Sequence, residues 1–180
     1  MSKNHQRSDI SFRVMALIHN NPLRRIFDNP MNTLRAAGIK LGQQVLEVGC
    51  GPGFFTIPAA KMVGDSGYLY AIDLHPFAVR MVNQKLKKTG LTNVKVALAD
   101  AAKTGLPAES IDVAFLFGVI HALPLDTVIP ELYRVLKPGG ALAVQTFSGR
   151  KLEKVMNAGF FTFVGKKGRV CKFQKSKKED

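Results

Sequence analysis

From residue 44 onward the chain alternates between short apolar runs and longer stretches with helical spacing. "QVLEVG", "GYLYAID", "VKVALAD", "IDVAFLFG" and "ALAVQTF" are the apolar runs, and each reads as a strand. Between them Phe54–Val63, Pro76–Thr89 and Leu125–Leu136 have the period of helices. Pro58 falls in the first turns of its helix, where a missing N–H costs least, whereas Pro130 lies deep enough to kink or split its own. "KPGG" is expected to be the turn into the fifth strand. Lys151–Ala158 reads as a last helix stopped by Gly159, and "FFTFVGKKG" and "RVCKFQK" as a closing hairpin. Upstream, residues 11–19 and Leu23–Phe27 have helical character, broken by "NNP", and Thr33–Ala37 forms a helix ended by Gly38.

Strand–helix alternation implies parallel strands joined by right-handed crossovers. The fourth run, "IDVAFLFG", is almost wholly apolar, as a strand covered on both faces must be. The expected fold is therefore α/β, a Rossmann-like, seven-stranded, mostly parallel sheet with a C-terminal antiparallel hairpin and helices on both faces. Residues 1–40 form a helical cap or lid segment in this reading, and residues 41–180 a single α/β domain.

Composition narrows the picture. At 180 residues, 46% hydrophobic and 22% charged, the chain is ordinary globular material for one domain. No apolar run approaches the ~20 residues that span a bilayer, and "MSKNHQRSD" leads into no secretory segment, so a cytoplasmic location is expected. Cys50 and Cys171 are too few for a disulfide framework or a metal cluster. The net charge of +13 sits at the ends: residues 1–40 carry seven basic and two acidic side chains, 41–149 nine and eight, and 150–180 ten and three. Such ends attract phosphates, nucleic acid or anionic lipid, or form a solvated periphery.

In an open parallel sheet ligands sit beyond the carboxyl ends of the strands. Here those ends carry a glycine turn (Gly49, Gly51, Gly53), Asp73, Asp100 and Gly118. The glycines allow tight turning and close approach of a ligand to the backbone. Their spacing is G-x-G-x-G, with Phe54 in place of the small third element of a dinucleotide loop, and no Lys or Arg occurs from Gln43 to Ala60. Glu47 precedes the turn; an anion there disfavours a phosphate and suits an ammonium or sulfonium. Asp73, 20 residues past Gly53, is placed to accept ribose hydroxyls, or else to cap the helix that follows. Asp100 can accept from an adenine amino group and the Ala101 amide can donate to a ring nitrogen, or Asp100 is a turn residue.

At this point "LEVGCGPG", "AIDLHP", "ADAAKTGLP", "IDVAFLFGVIHAL" and "ELYRVLKPGGAL" together resemble the class I S-adenosylmethionine-dependent methyltransferases, in the small-molecule group that includes the quinone-biosynthesis enzymes. The likeness covers residues 41–172. It implies S-adenosylmethionine as cofactor and S-adenosylhomocysteine as product. It implies that Glu47 and the Gly118 carbonyl face the methionyl ammonium, and that Gly49 and Gly51 cradle the cofactor. It further implies Asp73 on the ribose, Leu74 packed on adenine, and Asp100 and Ala101 on the adenine edge. His121, three residues past the fourth strand, becomes the candidate base or acceptor contact, with a plain wall or cap histidine as the alternative.

The implied partner is a small methyl acceptor. Phe12–Phe27, apolar and edged with arginine, suits a lid over a hydrophobic acceptor taken from a membrane surface, or a helix buried on the sheet. No Asn/Asp-Pro-Pro-aromatic or Pro-Cys sequence follows the fourth strand, which argues against methylation of DNA bases. An RNA-directed enzyme using the basic termini and a non-catalytic interaction protein are the alternatives. NAD-dependent oxidoreduction is disfavoured by Glu47, the glycine spacing and the hairpin.

Overall fold

The computed structural model describes residues 29–145 and 150–176. The expected helices over 11–19 and Leu23–Phe27, and with them the proposed lid, lie outside the described residues.

Helix α1 (Pro30–Ala37) begins where Asn29 Oδ1 accepts the Met31 N–H at 2.9 Å and Pro30 supplies a preset φ. It ends at Gly38, whose φ of 85° only glycine adopts cheaply. Then follow β1 (Gln44–Val48), α2 (Thr56–Val63), β2 (Tyr68–Asp73), α3 (Pro76–Thr89), β3 (Val94–Leu98) and β4 (Ile111–Phe117). A 3-10 turn (Ile120–Ala122) leads into α4 (Leu125–Val135), β5 (Leu136–Gln145), α5 (Arg150–Asn157), β6 (Phe161–Lys167) and β7 (Val170–Lys175).

The seven strands lie in the order β3-β2-β1-β4-β5-β7-β6. β1 to β5 are mutually parallel and β7 runs antiparallel to both neighbours, as the strand–helix alternation and closing hairpin predict. Side-chain alternation divides each central strand between two cores. Val45, Val113, Phe115 and Ala143 point to the face covered by α1 and α2. Leu46, Ala114, Leu116 and Leu142 point to the face covered by α4, which contributes Val128, Ile129, Leu132 and Val135. This two-sided burial is why β4 shows no polar alternation.

Three local expectations change. "KPGG" is not a turn ahead of β5 but a bulge inside it: β4 pairs Ile111 with Leu136 and next Val113 with Ala141, so Lys137–Gly140 loop out. Gly139 takes φ 73°, and a Cβ on Gly140 would stand 2.8 Å from the Lys137 carbonyl. Asp112 holds the bulge, accepting from Lys137 Nζ and from the Gln44 N–H, each at 2.7 Å. Secondly, Pro130 does not split α4. The proline stands on its exposed side, while the opposite side is fixed by the core residues named above. Thirdly, the helix after the glycine loop starts at Thr56 rather than Phe54, because residues 51–55 are used by the turn.

Candidate functional site

The glycine turn leaves β1 at the middle of the sheet, where β2 goes to one side and β4 to the other. Gly49, Gly51 and Gly53 have φ of 75°, 51° and 81°. At Gly49 a side chain is doubly excluded, since a Cβ would also lie 2.7 Å from the Val119 side chain. Asp73 fastens the turn to β2: its Oδ2 accepts the Gly51 N–H and its Oδ1 the His75 N–H, both at 2.8 Å. The cap of α3 is His75, through Nδ1 to the Phe77 N–H. Asp73 therefore organises the loop and the entry to the helix, yet a carboxylate oxygen that accepts one hydrogen bond has capacity for a second.

Beside this turn lies a cavity of about 120 Å³, bounded by Gly49, Asp73, Leu74, Ala101, Val119 and Leu123 among others. Four sequence-expected residues thus meet there: Gly49, Asp73, Leu74 and Ala101. Leu74 is 67% exposed, an apolar platform facing solvent. The volume is below the ~300 Å³ at which whole-ligand pockets begin, so it takes one moiety of a larger ligand. Its remaining walls, Val48, Ile72, Ala99, Val119, Ala122 and Leu123, escaped sequence reasoning because apolar side chains carry no chemical signature.

The other expected residues stand apart from this cavity. Asp100 is exposed and caps its own turn, accepting the Ala102 N–H at 2.9 Å. Gly118 is exposed with φ 74°, at the carboxyl end of β4. His121 is exposed in the 3-10 turn, between the wall residues Val119 and Ala122 but not itself part of the wall.

Glu47 is 2% exposed and lies on the opposite face of β1, in register with Phe115. Burial pushes its carboxyl up to about 8; the Thr56 hydroxyl offsets part of this and Asp73 adds to it. Neither Glu47 Oε2 nor Thr56 Oγ1 meets a partner in hydrogen-bonding geometry among the described residues. Glu47 is thus a buried carboxyl with an unsatisfied oxygen beside the glycine turn. The neighbouring Cys50 thiol, also buried, is driven far upward by burial and by Glu47 and Asp73, so it is no nucleophile.

Two features near the site were invisible along the sequence. The loop window from Gln43 to Ala60 holds no cation, but α3 brings Lys85 Nζ to the Pro52 carbonyl at 2.6 Å. From α4, Glu131 accepts the Thr104 N–H and hydroxyl, and Arg134 both clasps Glu131 and donates to the Leu106 carbonyl at 2.7 Å. That clamp fixes the loop following Asp100 and Ala101.

A larger cleft, of about 720 Å³, lies at the other end of the parallel strands, between Glu109, Tyr133, Phe160 and Lys175. Its polar groups satisfy one another: Lys175 bonds Glu109 and the Leu136 carbonyl over the Tyr133 ring, and the Tyr133 hydroxyl donates to the Ser176 carbonyl. Among the described residues no group of His, Cys, Asp and Glu is arranged to hold a metal ion, and no helix is long and apolar enough to cross a membrane.

Comparison with known proteins agrees with this geometry. A family model described as a methyltransferase domain matches residues 39–178. A ubiquinone/menaquinone biosynthesis C-methyltransferase from Enterobacter sp. (strain 638) is 32% identical over 128 residues, 70% of this chain and 51% of the relative. A demethylmenaquinone methyltransferase from Geobacillus sp. (strain WCH70) is 34% identical over 61% of this chain and 47% of its own. The chain thus spans about half the length of the curated relatives it matches. A SAM-dependent methyltransferase from Aquifex aeolicus superposes with a TM-score of 0.79 at 27% identity, covering 90% of this chain and 96% of that one.

Proposed function

The chain belongs to the methyltransferase domain family, whose members are S-adenosylmethionine-dependent transferases, and we propose that it methylates a small-molecule acceptor. The observation that carries this reading is the convergence of Gly49, Asp73, Leu74 and Ala101 on one cavity, with the orphaned carboxyl of Glu47 behind the same turn.

The residues present fit the cofactor. Asp73 keeps acceptor capacity for two hydroxyls, Leu74 offers an apolar face for a planar ring, and the Ala101 wall lies beside it. The space at Gly49 that a Cβ would fill admits a ligand against backbone. Glu47, once ionised, has the charge to balance an ammonium or sulfonium. Asp100 and Gly118, off the cavity wall, are assigned the outer adenine edge and the methionyl end as the family resemblance implies. When bound, the cofactor supplies an electrophilic methyl on positively charged sulfur. What the chain itself contributes is alignment and exclusion of water; orientation of two reactants is worth up to roughly 7–11 kcal/mol of barrier. His121 is the candidate to accept a proton from an acidic acceptor.

Calorimetric titration with S-adenosylhomocysteine and with NADH tests the reading. Binding of the first and not the second is expected; no heat with S-adenosylhomocysteine would sink it.

A further inference from the structure

We propose that Glu131 and Thr104 are positioning residues for the adenine end of the cofactor. From α4 they set the orientation of the turn 100–103, and with it the preference for an adenine amino group over other purine edges. This deepens the methyltransferase reading and rests on it, including the assignment of Asp100 and Ala101 to the adenine edge.

The turn closes on itself. The Lys103 N–H donates to the Asp100 carbonyl and the Ala102 N–H to Asp100 Oδ1, both at 2.9 Å. Neither bond engages Asp100 Oδ2 or the Ala101 N–H. A turn of this kind keeps its internal shape, and its orientation depends on what holds its two ends. At the leading end the Ala99 N–H donates to the Asp73 carbonyl at 3.1 Å, so the turn starts from the acid expected on the ribose. At the trailing end Thr104, 9% exposed, gives both its N–H and its hydroxyl to Glu131 Oε1, at 2.9 and 2.6 Å. With its proton committed to the carboxylate, that hydroxyl accepts the Leu106 N–H at 3.2 Å.

Glu131 is itself held in place. Arg134 donates Nε to its Oε2 at 2.8 Å and Nη2 to its Oε1 at 2.9 Å, and the same Nη2 reaches the Leu106 carbonyl at 2.7 Å. The carboxylate therefore accepts four hydrogen bonds, two from the loop and two from its own helix. Beneath it α4 is anchored by Val128, Ile129, Leu132 and Val135. Charge-assisted bonds are short and directional, so they define an angle. Ala101, 5% exposed, also packs in the core under α4. Apolar burial has no direction, however: it fixes the depth of Ala101 and not the bearing of its N–H or of the Asp100 carboxylate. An adenine edge presents an amino donor beside a ring-nitrogen acceptor, and reading both at once needs an acceptor and a donor side by side at one angle. The clamp from α4 supplies that angle.

The test is calorimetric titration with S-adenosylhomocysteine and with S-inosylhomocysteine, in which a carbonyl replaces the adenine amino group and the neighbouring ring nitrogen carries a proton. The wild type should prefer the adenine ligand by at least about tenfold, the loss of one hydrogen bond to a charged group. Thr104→Val and Glu131→Ala should each narrow that preference to within about threefold by weakening S-adenosylhomocysteine. Both should keep wild-type affinity for S-inosylhomocysteine, which relies on Asp73 and the glycine turn; this also shows that the variants are folded. Thr104→Ser, which retains the hydroxyl, should restore the full preference. Variants that keep the wild-type preference overturn the proposal. So do variants that lose both ligands equally, because the clamp is then merely structural, and so does a wild type that binds both ligands alike. Failure of S-adenosylhomocysteine to bind the wild type removes the methyltransferase reading first, and this inference with it.

Discussion

At Glu47 a carboxyl is buried before any ligand arrives, and its protonation ties binding to pH. The folded chain holds a proton up to about pH 8 that the unfolded chain releases near 4.5. Folding stability of the free protein should therefore fall as pH rises from about 4.5 to about 8, and Glu47→Gln should remove that slope. Urea unfolding across this range measures it. The ammonium group of bound S-adenosylhomocysteine favours the ionised form, so its affinity should increase from pH 6 to pH 8 in the wild type and stay flat in Glu47→Gln. Asp73→Ala should weaken the same ligand by at least about tenfold to a hundredfold, the loss expected for even one charge-assisted hydrogen bond at ~1.5–3 kcal/mol; it also frees the Gly51 and His75 amides. Gly49→Ala should abolish binding, because the strained φ and the Val119 contact both force the turn open.

Among the elements, α4 does more than cover the sheet. Its Glu131 is drawn down to about 2, first by Arg134 and then by the Thr104 groups, despite partial burial. The clamp therefore stabilises the fold above pH ~4.5 and gives up that contribution as pH falls toward 2. Glu131→Gln should show a shallower acid-induced loss of stability than the wild type, read by urea unfolding at pH 7 and pH 3. It should also raise hydrogen exchange in residues 101–106, the loop the clamp holds. On the other face Asn93 ends α2 from a distance, donating to the Ala60 and Gly64 carbonyls at 2.9 and 2.8 Å. Asn93→Ala removes both side-chain bonds, leaving the Ala60 and Gly64 carbonyls only the Gly64 and Gly67 N–H donors among the described residues, and should cost ~1–3 kcal/mol of stability in the same assay.

Over the whole molecule the cofactor should act as a cross-brace, because its expected contacts come from the ends of β1, β2, β3 and β4. S-adenosylhomocysteine at a hundred times its Kd adds ~2.7 kcal/mol, which in a chain this size raises Tm by roughly 5–10 °C in a thermal-shift measurement. NADH should raise it by nothing.

The sequence by itself determined the element order, the parallel sheet and hairpin, and the glycine turn with its two flanking acids. Hydrophobic periodicity and backbone permissiveness act over a few residues, and those are written locally. Bounds of α3 were legible to the residue, because His75-Pro76 opens it and Gly90 closes it. The "KPGG" bulge was not, since a bulge depends on the partner strand: only the β4 register and Asp112 make those residues part of β5. Only the tertiary structure decided which expected residues share a cavity. It put Asp73 and Leu74 in and left Asp100 and His121 outside, because side-chain direction at strand ends is fixed by packing. Likewise Lys85, Glu131 and Arg134 reach the site from α3 and α4. Those encounters span distances along the chain that no local pattern encodes, and they come from the strand order and the two buried faces of the sheet.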